Sequence, residues 1–223
     1  MAARSAPARA GDNCHVCGAD VTQGWSEAVD AGEATCVACG APSTAVLGAA
    51  RHDGRLPTEL ATRGDRRVAY ILERAAWKGV VALHDLRVPK SRTVLHDVAI
   101  ASSGVYVVDA KAERGIVEER LVRNGSGRER CLYVSGRNRA RWFDATQRQV
   151  DAVRAVLDAR IPVRGVVCVL DAEWSIAPRP LVFGQVVVVW PRALARLVSR
   201  PGPLSPAAVQ RTAERVAKAF PRA

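Results

Sequence analysis

Apolar positions recur along this chain with two different periods, and the switches between them mark out its elements. After Pro57-Thr58, the residues Val68, Ile71, Leu72 and Ala75 return at helical spacing, which predicts a helix running to about Trp77. Strand-sized apolar runs follow at 80–86, 93–100 and 104–111. Two more, at 116–123 and 130–134, flank Asn124-Gly125, a dipeptide that favours the tight turn of a β-hairpin. A long amphipathic helix is predicted over 142–159, then strands at 163–170 and 185–190, then helices opening at Pro191 and Ser205. This order predicts an α/β fold, a mixed β-sheet with flanking helices, with a core over 57–190 and C-terminal helices at 191–223 packed on it. Upstream no such period holds: residues 1–12 read as disordered and the small, polar 42–56 as a linker.

Composition narrows the class. Of 223 residues 48% are hydrophobic, enough for a buried core. No apolar run reaches the roughly 18 residues of a membrane span, and none follows Arg4 and Arg9 as a secretion signal would require. A cytoplasmic protein with no membrane partner is therefore expected. The net charge of +11 favours a polyanionic partner, nucleic acid above all. Only Lys78, Lys90, Lys111 and Lys218 are lysines, so part of this charge reflects an arginine-rich composition.

Four of the six cysteines form two Cys-x-x-Cys pairs, Cys14 with Cys17 and Cys36 with Cys39, each followed by glycine. Two such turns supply the four soft ligands of a tetrahedral zinc ion. Disulfides fit poorly without a secretion signal, and a redox pair calls for one motif beside a βαβ unit. Residues 13–41 are thus expected to form a small zinc-ribbon-like module. Four thiolates leave no open coordination position, so the zinc would be structural and the module a docking element for nucleic acid, a protein partner or the main domain. His15 reads as a bystander, and Cys131 and Cys168, in apolar runs, as inert core thiols.

The strand at 104–111 ends in Asp109-Ala110-Lys111. Residues two apart on a strand share a face, so this carboxylate and ammonium project together from an apolar strand. Together they could hold a divalent ion and poise a water beside it; the plainer alternative is an ion pair reaching solvent at a strand end. Arginine outnumbers lysine 29 to 4, yet lysine stands here, and only lysine can usefully exchange a proton. Arg137, Arg139, Arg141 and Arg148, close to Trp142 and Phe143, suit phosphate and base contacts, or else form a solvated helix face.

Several of these stretches resemble one family. Gly64-Asp65-Arg66-Arg67, Leu83-His84-Asp85, Val88-Pro89 with Ser91-Arg92, Ser103-Gly104-Val105-Tyr106-Val107-Val108-Asp109-Ala110-Lys111, Gly115, Gln149 and Pro191-Arg192-Ala193-Leu194 are similar to the nuclease-related domain (NERD), a branch of the PD-(D/E)xK restriction-endonuclease-like superfamily. The resemblance covers about 60–223. It implies a nuclease core dependent on Mg²⁺ or Mn²⁺, with Asp109 a metal ligand, Lys111 orienting or activating the attacking water, an acid on the first helix supporting the metal, and Gln149 a polar site residue. Two positions depart from the pattern. Asp65 stands where the family has glutamate, and His96-Asp97 invert the family's Asp-His on the strand before the turn. A two-residue turn at Ser102-Ser103 would set His96 opposite Asp109; a three-residue turn with a left-handed Gly104 would set Asp97 there. The expected function is a metal-dependent nuclease acting on nucleic-acid phosphodiesters. The alternative is a nucleic-acid-binding or protein-adaptor module that keeps the fold while the inverted pair weakens the metal site.

Overall fold

The computed structural model describes residues 63–222 other than 92 and 126, and, upstream, the backbone of two short strands, β1 (Trp25–Glu27) and β2 (Ala34–Cys36), which pair antiparallel. The chain divides into two compact units, Met1–Leu56 and Pro57–Ala223. The side chains of Cys14, Cys17, Cys36 and Cys39, the 42–56 linker and the expected helix start at 57–62 lie outside the described residues.

In the second unit the predicted helix is α1 (Arg63–Arg74). A 3-10 turn at Ala76–Lys78 ends it, with Gly79 in the left-handed conformation (φ 77°) that only glycine takes freely. Of the periodic positions of the sequence, Val68, Leu72 and Ala75 are buried and Ile71 is partly so. Three strands follow as an antiparallel meander: β3 (Val81–Arg87), β4 (Val94–Ala101) and β5 (Gly104–Lys111). A twisted hairpin, β6 (Gly115–Asn124) and β7 (Gly127–Val134), closes with Asn124 opposite Gly127 and leads through β8 (Arg137–Asn138) into α2 (Ala140–Arg154). The chain then returns as β9 (Val163–Val169), β10 (Ala172–Glu173), β11 (Leu181–Phe183) and β12 (Val186–Val189), and ends in α3 (Pro191–Val198) and α4 (Pro206–Ala219).

The main sheet has six strands in the order β11-β12-β9-β5-β4-β3. It is mixed: β9 lies parallel to both β5 and β12, and the outer pairs are antiparallel. Valine-rich strands buried on both faces require helices on both. On one face α1 and α3 bury Val68, Leu72, Leu194 and Val198 against Ala99, Tyr106 and Val108. On the other α2 and α4 bury Val150, Val153, Val209 and Val216 against Val98, Val107 and Val163. The second sheet, β10-β6-β7-β8, folds over the end of β9, where Val117, Leu132 and Val134 meet Val167, Val169, Trp142 and Phe143.

Some boundaries differ from those the sequence predicts. The α2 helix opens at Ala140, where the Asn138 side chain accepts a hydrogen bond from the Ala140 amide (2.8 Å). It stops at Arg154 and tightens into i→i−3 bonds from Val156 and Leu157 instead of running to 159. The edge strands β10 and β11 are too short to show a period. Among the described residues, no helix is long and apolar enough to cross a membrane.

Candidate active site

The turn between β4 and β5 decides which polar residues meet. Ala101 pairs with Gly104, so the loop is the two residues Ser102-Ser103, although Gly104 does take a positive φ of 130°. A side chain at Gly104 would meet the Pro162 carbonyl oxygen at 2.6 Å, which explains the glycine by close approach rather than by a longer turn. The register runs Ile100–Val105, Ala99–Tyr106, Val98–Val107 and Asp97–Val108, and the ladder stops there. His96 and Asp109, the next step of that register, lie beyond the ladder.

Alternation then parts the candidates between the two faces of the sheet. Val108 faces α1 while Val107 faces α2 and α4, so Asp109 projects to the α2 side, and Lys111 with it. Lys111 Nζ lies 2.8 Å from Asp109 Oδ1, with the two side chains 27% and 14% exposed, so this is a pair at the rim of the core rather than within it. The ammonium also sits 5.9 Å from the centre of the Trp142 ring, and the Arg139 guanidinium lies 5.3 Å from the same ring. Arg139 is in turn paired with Glu113. The first turn of α2 thus presents an aromatic ring between two cations beside Asp109.

Asp97 points the other way. It is 1% exposed and accepts a hydrogen bond from His84 Nδ1 (2.6 Å), whose Nε2 reaches Glu73 Oε1 on α1 (2.9 Å). Asp65, 6% exposed on the same helix, is close enough to act on Asp97 electrostatically. Burial pushes the Asp97 carboxyl up to about 6, and the hydrogen bond and charge of His84 only partly offset this. Burial alone would lower His84, but its bonds to Asp97 and Glu73 outweigh that and hold it at about 9. At neutral pH a protonated His84 therefore bridges two carboxylates. Asp97 Oδ2 is buried with no hydrogen-bond partner.

His96 sits at a slip in this pattern. The β3–β4 ladder pairs His84 with Asp97 and Leu86 with Leu95 but skips Asp85 and His96, and Asp85 takes a positive φ of 50°. Leu95 joins the same cluster as Val98, so the strict alternation is lost between them. The His96 side chain is 40% exposed, yet its Nδ1 is buried without a hydrogen-bond partner, with Asp85 Oδ1 3.7 Å away. Among the described residues, no three His, Cys, Asp or Glu side chains converge as ligands for one metal ion.

The structure thus brings together Asp109 and Lys111, leaves His96 beside Asp85 at the slip, and separates Asp65 and Asp97 from the pair by the thickness of the sheet. Gln149 donates to the Val94 carbonyl (3.3 Å), which ties α2 to the start of β4. Arg137, Arg141 and Arg148 are exposed, whereas Arg139 is committed to Glu113 and Trp142. Cys168 is fully buried and its thiol is pushed up to about 12 by burial; Cys131 is partly exposed. Sequence reasoning assigned no role to Glu73 or His84. Part of the signal was available: Glu73 follows Asp65 by about two helical turns, and His84 alternates with Ala82 toward the α1 face.

Comparison with known proteins adds one match. Residues 60–170 match the family model of NERD, the nuclease-related domain. That stretch holds α1, the meander, the hairpin, α2 and β9, and so contains every side chain of the two clusters just described. No curated protein and no solved structure matches the chain.

Proposed function

We propose that this nuclease-related domain hydrolyses nucleic-acid phosphodiesters, with Asp109, Lys111 and His96 as its working residues on a restriction-endonuclease-like core. The observation that carries the reading is the Asp109–Lys111 pair at 2.8 Å, projecting from a strand end beside Trp142 within the matched region. An acid and a lysine held at a partly open rim can contact a phosphate, whereas a purely structural pair gains little there.

The donor set suits a divalent cation held mainly by water and substrate. Magnesium is commonly bound through one or two carboxylates plus phosphate oxygens rather than by a cage of side chains, and manganese accepts imidazole as well. Asp109 would supply the carboxylate, and the partly exposed imidazole of His96 a second donor. The ion, when bound, would stabilise charge on the phosphoryl oxygens. Lys111, oriented by Asp109 and the Trp142 ring, holds the attacking water or a non-bridging phosphate oxygen by hydrogen bonding. Arg137, Arg141 and Arg148 contact neighbouring phosphates on the strand. The zinc assigned to Cys14, Cys17, Cys36 and Cys39 is a proposal resting on their spacing, with docking to nucleic acid or a protein partner as its role; metal analysis of the purified chain tests it.

Purified protein with Mg²⁺ or Mn²⁺ should cut single- or double-stranded oligonucleotides. Lys111→Ala should slow cutting by about a hundredfold or more, since a positioned cation on the reacting phosphate is worth that much. Equal cutting by wild type and variant would overturn the assignment.

A further inference from the structure

A cleft of about 420 Å³ opens beside the site, between β7, the first turn of α2 and the β11–β12 turn. We propose that this cleft is a nucleobase subsite, which takes one unstacked base of a single-stranded nucleic acid whose backbone lies at Asp109 and Lys111. The placement of the backbone rests on the function proposed above; the recognition of a base does not.

The lining gives the chemistry. Leu132, Phe143, Val182 and Phe183 make an apolar wall, and the two phenyl rings stack with centres 4.7 Å apart. Glu129 and Asp144 are at the rim. The exposed Asp144 carboxylate repels a phosphate and accepts hydrogen bonds from amino groups, so the wall and rim together suit a flat ring that carries N–H donors. Arg130, which also lines the cleft, is bonded to Glu119 and lies 5.7 Å from the Phe183 ring centre, so its charge is already engaged. Cytosine, with its exocyclic amine, fits this pattern; thymine, with no amine, fits it less well.

Position links the cleft to the site. Trp142 places its ring beside Lys111, and the next residue, Phe143, lines the cleft. Successive residues on a helix point about 100° apart, so one turn of α2 serves both places. A strand with its phosphodiester at Lys111 then has a neighbouring base within reach of the cleft, while a duplex keeps its bases stacked out of reach.

Binding without divalent cations tests this, read by fluorescence anisotropy on the full chain. The probes are a labelled oligo-dC, the same strand with abasic positions, an oligo-dT and a duplex. The abasic strand should bind about tenfold more weakly than oligo-dC. Val182→Trp fills the cleft from an exposed position, and circular dichroism checks that the fold is kept; it should weaken oligo-dC binding about as much and leave duplex binding unchanged. Asp144→Asn should reduce the preference for dC over dT. Equal binding of the intact and abasic strands, or unchanged binding by a folded Val182→Trp, overturns the subsite. If base-dependent binding holds but no cutting occurs with Mn²⁺, the subsite stands and the nuclease reading falls; cutting with base-independent binding gives the reverse.

Discussion

His84 does the work of a clasp. It carries a proton between Asp97, which is 1% exposed, and Glu73 on α1, at the point where the β3–β4 ladder skips a pair. Removing one partner of such a buried pair leaves the other charge without compensation. We expect His84→Gln to destabilise the fold by about 3 kcal/mol in urea unfolding at pH 7. The pH dependence follows from the raised value of about 9. Folded protein keeps a proton that the unfolded chain loses above about 6.5, so the stabilisation is complete below that pH and is lost as pH rises through 9. Asp65, Glu73 and His96 also act near this pair, so the slope belongs to the cluster. Wild type should lose stability between pH 6.5 and pH 9, and His84→Gln should show a flatter curve; parallel curves would refute the assignment. Little of this was legible in the sequence. Asp109 and Lys111 could be placed on one face by strand period alone, but the partner of Asp97 depends on a turn whose glycine pointed to the longer form. Gly104 answers to Pro162, which is distant in sequence, and no local rule detects that.

At the scale of elements, the position of Trp142 depends on how closely α2 lies on β9. Gly165 permits that approach: a Cβ there would meet Thr146 Cγ2 at 2.7 Å and Val150 Cγ2 at 3.2 Å. Thr146 is fully buried, its hydroxyl donating to the Trp142 carbonyl, so the helix cannot yield at that side chain alone. Gly165→Ala should therefore cost about 1–3 kcal/mol and, if the domain cleaves phosphodiesters as proposed, lower that cleavage by displacing the first turn of α2. A thermal melt together with cleavage of one oligonucleotide checks both effects, and full activity in a destabilised protein would show that the site does not depend on this contact. The elements themselves were largely legible, because Val68, Ile71, Leu72 and Ala75 repeat at helical spacing and β5 and β12 are nearly continuous apolar runs. The ends of α2 and the strands β10 and β11 were not, since a single bond from the Ala140 amide to Asn138, a tightened last turn and two- or three-residue pairings leave no period to read.

Over the whole molecule, the charge of +11 would favour a polyanionic partner, and the exposed Arg137, Arg141 and Arg148 lie near the turn that carries Trp142. If they contact phosphates, the affinity for an oligonucleotide should fall linearly on a log–log plot against salt, and each Arg→Ala change should reduce the slope by about 1. A slope unaltered by all three changes would place the nucleic acid elsewhere on the surface. The order of the main sheet has a separate consequence, for assembly. Strand β5 is the seam of the sheet: the local meander β3-β4-β5 closes on one side of it, while its other neighbour, β9, follows in the chain only after the hairpin and α2. Local pairings form quickly, and parallel pairings across a long connection form slowly. Asp109 and Lys111 lie on that seam, paired with Val167 and Val169, so the pairing that completes the site is the non-local one, and until it forms the strand that carries the acid and lysine has an open edge.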